Sequence, residues 1–278
     1  MKKPFIIYTY DYDPGIGGIK VMHKLCDLLN KAGYPSYLMP IYINDTFYVS
    51  DDYDTPLVTN EILADMDNAI VIYPEGIKYN PLSAKNVIRW ILGPANEADY
   101  STYSKNDVIY WYMDYYYVES LGQRENQLMI SELHTDIFKN THLDRNGNCY
   151  AIRKGSPEKL VHPVDSYEIK YHDAGDLVKI SNIFNTTEKF YCYDNYTFLS
   201  VQAAMCGCIS IVIPDNTKTK EDWLSGSRFN QYGIAYGEED IPRAIETLPL
   251  LYKEIKITEQ NMINQVNQFI NHCNERFI

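Results

Sequence analysis

"FYCYDNYTFLSVQAAMCGCISIVIPD", residues 190–215, decides how the chain is read. A strand expected over 189–192 runs into the acidic and hydroxyl-bearing residues Asp194 and Thr197. Ser200 and Gln202 follow, then Ala203, Ala204, Cys206 and Gly207, and then the β-branched run 209–213. The pattern predicts a strand, a helix over 196–205 and a second strand. Two apolar strands joined through a helix imply a parallel crossover. Asp194 and Thr197 then stand where a strand gives way to a helix, the place where open α/β sheets collect ligands. An ordinary N-cap would use the same letters.

The pattern repeats outward from this stretch. In the second half, a strand at 149–152 ends in Arg153-Lys154-Gly155. A helix at 178–184, a short strand at 234–236 and a helical tail over 241–278, expected in pieces, complete that half. In the first half, an apolar strand at 5–10 is followed by the loop Asp11-Tyr12-Asp13-Pro14-Gly15-Ile16-Gly17-Gly18. A helix over 19–31 and a strand at 37–41 come next. Further strands are expected at 69–73, 86–92, 107–113 and 127–132. The polar run 140–148 places a domain boundary between Lys139 and Cys149.

The bulk numbers agree with two α/β domains. The chain has 278 residues, 45% of them hydrophobic and 22% charged. No apolar run approaches the roughly 20 residues that span a bilayer. The apolar residues 5–8 are too few for a signal-peptide core, so a cytoplasmic location is expected. The formal charge of −12 opposes nucleic-acid binding but leaves room for one local basic pocket. None of the six cysteines forms a CxxC pair, which fits buried thiols in a reducing compartment. Among the 26 tyrosines, the runs 110–112 and 115–117 offer rings for stacking on sugars; biased codon usage would produce them as well.

Three places carry chemistry. The Gly15-Ile16-Gly17-Gly18 loop opens a helix, and backbone N–H groups there can hold a phosphate. Its spacing is neither GxGxxG nor a P-loop, and a tight turn explains it equally. Arg153 and Lys154 put two cations at a strand end of an acidic protein, as a diphosphate clamp or as a solvated turn. Asp194, Thr197, Ser200 and Gln202 surround a helix start, and polar groups in a crevice call for a polar ligand.

Together these features resemble the GT-B glycosyltransferases, in particular the bacterial polysaccharide-type branch with a Glu-x7-Glu motif followed by EAMACGxPVI. The corresponding stretch here is Asp194-x7-Gln202 leading into AAMCGCISIVIPD; VIYPEG, NPLSAKNVIRWIL and YGIAYG also look like members of that branch. The resemblance implies α/β architecture with two Rossmann-like domains facing across a cleft. Residues 1–145 would be the acceptor side, 146–260 the nucleotide-sugar domain, and 261–278 a helix crossing back. It implies a glycosyltransferase of surface polysaccharide synthesis, moving a hexosyl or related sugar from a nucleotide-diphosphate donor to a glycan or lipid-linked acceptor. A lipid-linked acceptor would bring the chain near a membrane surface. Arg153 and Lys154 would meet the diphosphate, with Gly17 and Gly18 facing them and Thr197 and Ser200 nearby. Gln202 would take the ribose position and Asp194 would lie by the donor sugar. The sequence departs from the motif at both ends: Gln202 is an amide and Asp194 is one methylene shorter than Glu. The chain is short for this fold, which implies a trimmed acceptor domain.

The catalytic base stays open among Asp11, Asp13 and Glu75, with His23 a helical turn further on. A retaining enzyme would need no such base. No cofactor beyond the donor, and no metal, is expected. Asp11-Tyr12-Asp13 has the letters of a metal triplet but belongs to the loop before the glycines. A nucleotide-sugar epimerase on the same scaffold and a non-catalytic glycan- or protein-binding member are the competing readings.

Overall fold

A computed structural model describes residues 2–42, 46–93, 97–153, 157, 159–215 and 217–277. The chain divides into two compact units, Met1–Ser131 with Gln260–Ile278, and Glu132–Glu259.

The first unit holds β1 (Phe5–Thr9), α1 (Gly17–Lys31), β2 (Ser36–Pro40), α2 (Asn60–Ala64), β3 (Ile70–Pro74), β4 (Asn86–Ile91), α3 (Glu97–Tyr100) and β5 (Val108–Trp111). Its sheet is wholly parallel with order β2-β1-β3-β4-β5. The central strands β3 and β4 are buried almost throughout, as a sheet covered on both faces requires. α1 lays Val21, Met22, Leu25, Cys26 and Leu29 on the sheet. It ends because Gly33 adopts φ 76° and lets two amides turn back: Gly33 N–H donates to Asn30 O and Tyr34 N–H to Leu29 O. The Asn30 amide then grips Ser36 in both directions and sets where β2 begins.

Arg89 of β4 is fully buried and paired with Asp107 at 2.8 Å. Its remaining N–H groups donate to the carbonyls of Ile77 and Tyr79, and the Tyr73 and Tyr103 rings flank it. That full set of partners offsets the desolvation of the charge.

The second unit holds β6 (Asn148–Ala151), β7 (Tyr167–Glu168), α4 (Leu177–Thr186), β8 (Lys189–Cys192), α5 (Phe198–Met205), β9 (Ile209–Val212), α6 (Lys220–Ser225) and β10 (Ile234–Tyr236). The last helix, α7 (Ile241–Arg276), begins here. The strand order is β10-β9-β8-β6-β7, again all parallel. Renumbered along each unit, both sheets read 2-1-3-4-5, the doubly wound order whose direction reverses between strands 1 and 3.

Several expectations need correction. The stretch 127–132 is no strand; it makes one parallel bridge, Gln127 to Trp111, and buries Leu128 and Ile130. α7 is one continuous helix of 36 residues despite Pro249 inside it. A proline there removes only one ladder bond, and apolar residues on both sides of it are buried: Ala244, Leu251 and Ile255, then Val266, Phe269, Ile270, Cys273 and Phe277. The last five belong to the core of the first unit. Tyr110, Trp111 and Tyr112 are buried in the first unit and present no stacking platform. All six cysteines are free and buried.

Candidate functional site

In the second unit the sheet reverses between β6 and β8, which are hydrogen-bonded neighbours. Arg153 follows the end of β6 by two residues and Asp194 follows the end of β8 by two. They therefore stand at the carboxyl ends of adjacent strands, astride the switch point. The half-buried Arg153 guanidinium lies over the Tyr171 ring, 5.1 Å from its centroid. Its Nη1 is shut away from water and donates to no protein group. Lys154 lies outside the described residues.

The Cys192 thiol sits at the centre of this group and donates to Asp194 O at 3.4 Å. Burial, with the Asp194 charge, pushes the thiol up to about 12, although Ser200 and Arg153 beside it pull the other way. It stays protonated and is no nucleophile. Asp194 is itself buried. α5 starts at the same spot. Thr197 caps it, its hydroxyl accepting the Leu199 N–H at 3.3 Å. Ser200 is 3% exposed, and its Oγ, beside the Cys192 thiol, has no other partner among the described residues. No acid occupies the first turn of α5, so the positive end of the helix dipole is uncompensated within the helix. Gln202 is 4% exposed, and its amide reaches Glu132 O through a long bond of 3.4 Å. The structure thus gathers Arg153, Asp194 and Ser200 around one thiol, with Thr197 capping the helix they face.

In the first unit the reversal lies between β1 and β3, and the remaining candidates cluster there. Asp11 accepts the Tyr48 N–H at 2.8 Å, and Asp13 accepts the Gly15 N–H at 2.7 Å, closing the turn that leads into α1. Ile16 is the N-cap and gives no side-chain acceptor, so the first-turn amides are not capped from within. A Cβ on Gly17 would meet nothing within 4 Å, and one on Gly18 would make only ordinary contact with Leu92 at 3.7 Å. Packing inside the chain does not call for these two glycines. Glu75, just after β3, accepts the Leu92 N–H at 3.0 Å, which pins it to the end of β4. His23 is fully buried. Its Nε2 lies 2.9 Å from Tyr10 O and must donate to it, which leaves Nδ1 as a bare acceptor with no partner. Burial lowers its pKa, against the opposing pull of the Tyr10 carbonyl and the Asp11 charge.

Tyr171 and His162 were not visible as site residues in the sequence. His162 stacks on Tyr150 of β6 at 3.7 Å between centroids and bonds to the Tyr193 hydroxyl at 2.8 Å. A single histidine or tyrosine in a polar stretch carries no spacing signal. Among the described residues, no group of three or more His, Cys, Asp or Glu is arranged to hold a metal ion, and no helix is long and apolar enough to cross a membrane.

No protein-family model matches the chain, and no curated protein matches its sequence. Among solved structures it is loosely similar to a sucrose-phosphate synthase from Thermosynechococcus elongatus, with 10% identity, 99% of this chain and 96% of that one covered, and a TM-score of 0.45.

Proposed function

We propose that the chain is a glycosyltransferase that takes its sugar from a nucleoside-diphosphate donor held by the second unit. One observation carries the reading. At the switch point, beside the amino end of α5, Arg153 Nη1 is buried with no partner among the described residues and Ser200 Oγ is buried with only the Cys192 thiol beside it. An unsatisfied buried donor costs about 1–3 kcal/mol, and more when charged. The oxygens of a diphosphate would satisfy both groups and oppose the helix dipole.

In this reading Arg153, with Lys154, neutralises the diphosphate, and Thr197 and Ser200 flank it. Gln202 exchanges its long bond to Glu132 for a ribose hydroxyl. Asp194 lies by the transferred sugar. The acceptor hydroxyl attacks the anomeric carbon, the bond to the diphosphate oxygen breaks, and the nucleoside diphosphate leaves with that electron pair. If the configuration inverts, the acceptor's proton passes to a carboxylate, for which Asp11, Asp13 and Glu75 in the first unit are the candidates. The first-turn amides of α1 at Gly17 and Gly18 are open to a second anionic or polar group. The acceptor is a glycan or lipid-linked saccharide of surface polysaccharide synthesis, on the cytoplasmic side. Arg153, Lys154 and the helix end supply the positive charge that a metal supplies elsewhere, so transfer proceeds without one.

Calorimetry with UDP, GDP, ADP and CDP tests the reading. At least one should bind the parent, and Arg153→Ala should weaken it by about 1.5–3 kcal/mol, the scale of a hydrogen bond to a charged group. A parent that binds none of them, or an Arg153→Ala variant that binds like the parent, contradicts the reading.

A further inference from the structure

The first unit contains a cavity that none of the candidate residues touches. It lies between the stretch 123–127, beside the outer edge of β5, and the last turns of α7, with a volume of ≈ 350 Å³. Strands β3 and β4 separate β5 from β1 in the sheet, so the cavity is distinct from the cluster at the β1–β3 reversal.

Its floor is rigid. Phe269 and Tyr110 meet edge to face with centroids 4.9 Å apart, and the Tyr110 hydroxyl lies 2.6 Å from His272 Nδ1. Two amides in the wall are held by the backbone. Gln265 Oε1 accepts the Met129 N–H at 2.7 Å, and Asn126 Nδ2 donates to Ile109 O at 3.1 Å. The partners fix the orientation of both amides, because an N–H can only donate and a carbonyl only accept. Gln265 is left with uncommitted N–H donors and Asn126 with an uncommitted carbonyl. Gln127, Gln268 and Asn271 add further amides. Glu125 and Glu275 also line the cavity, and among the described residues no lysine or arginine does.

We propose that this cavity binds a neutral saccharide of one or two rings. Sugar hydroxyls both donate and accept, and an amide-lined wall offers them both functions. The volume falls within the range of about 300–1,000 Å³ found for small-molecule sites. The two carboxylates, with no cation to balance them, repel phosphates and uronates. The site does not depend on the transferase reading: a chain that binds no nucleotide would still bind the sugar here.

Saturation-transfer NMR on the full chain, with cellobiose, maltose, lactose and N,N′-diacetylchitobiose as probes and glucuronate and spermidine as charged controls, tests the proposal. Gln268→Ala with Asn271→Ala changes two exposed helix positions, so an unchanged melting temperature is expected. At least one disaccharide should bind the parent and the Arg153→Ala variant alike. It should bind the double variant about fivefold more weakly, the scale of one or two neutral hydrogen bonds. The proposal fails if no disaccharide binds, if the double variant binds as the parent does, or if Arg153→Ala abolishes binding, which would place the sugar in the second unit. Preferential binding of glucuronate or spermidine would overturn it as well.

Discussion

His23 and Arg153 are both nitrogen-bearing side chains with a buried atom that the protein leaves unbonded. They differ in what relieves them. A guanidinium stays charged at any ordinary pH, so an acceptor brought from outside, best an anion, completes the partners of Arg153. His23 can remain neutral, and burial holds its pKa below the ordinary value of 6.5. Above about pH 6.5 both the folded and unfolded imidazoles are neutral and folding meets no penalty. As pH falls below that value the unfolded chain takes up the proton first, so stability is lost down to the lowered folded pKa. Thermal melts between pH 7.5 and 5 should therefore show a steeper loss for the parent than for His23→Asn; equal slopes would show that His23 is not held neutral. His162, also lowered by burial, titrates in both proteins and cancels from the comparison. At this scale the sequence was legible in place: Arg153 and Asp194 were expected just beyond strand ends and Ser200 near a helix start, and the structure puts them there. Arg89 was not legible, because its partner Asp107 is 18 residues away and its other acceptors are backbone carbonyls.

α5 and its exit show the same contrast at the scale of an element. Its short run of small residues reads directly as a helix, and the structure starts it one residue after the Thr197 cap. What ends it was only partly legible. Gly207 adopts φ 83°, and its N–H and that of Cys208 turn back to Ala204 O and Ala203 O. Arg145, 61 residues before Cys206, donates to Cys206 O and also to Phe184 O and Thr187 O, capping α4 and α5 together. A Cβ on Gly207 would come 2.5 Å from Asn140 Nδ2, whereas one on Gly147, at φ 71°, would meet nothing within 4 Å. Gly207→Ala should therefore destabilise the protein more than Gly147→Ala. Both carry the left-handed strain of about 1–2 kcal/mol, and only the first displaces a neighbour; equal melting temperatures would contradict this packing. Strands β8 and β10 were legible to the residue, because short β-branched or aromatic runs between polar breaks leave little choice. The stretch 127–132 misled because Leu128 and Ile130 alternate as in a strand, while their burial comes from packing beside β5 and α7. α7 was expected in pieces because a local reading does not see the burial that keeps it whole, which lies on both sides of Pro249, from Ala244 to Phe277.

At the scale of the molecule, two units with the same doubly wound order each bring their candidate residues to the reversal of the sheet. The alternation of strands and helices made the fold class legible. The strand order was not, because the side on which each crossover passes leaves no mark in the local sequence. Net charge set a useful bound: an acidic chain of −12 that keeps a buried guanidinium open at a helix start points to one small anion rather than a polyanion. Hydrogen–deuterium exchange with and without a nucleoside diphosphate tests that claim most directly, because it reports both binding and place. With UDP, GDP, ADP or CDP in excess, peptides covering 149–153 and 192–202 should exchange more slowly, and the effect should vanish in Arg153→Ala. Protection confined to other parts of the second unit, or no protection from any of these nucleotides, would contradict the account.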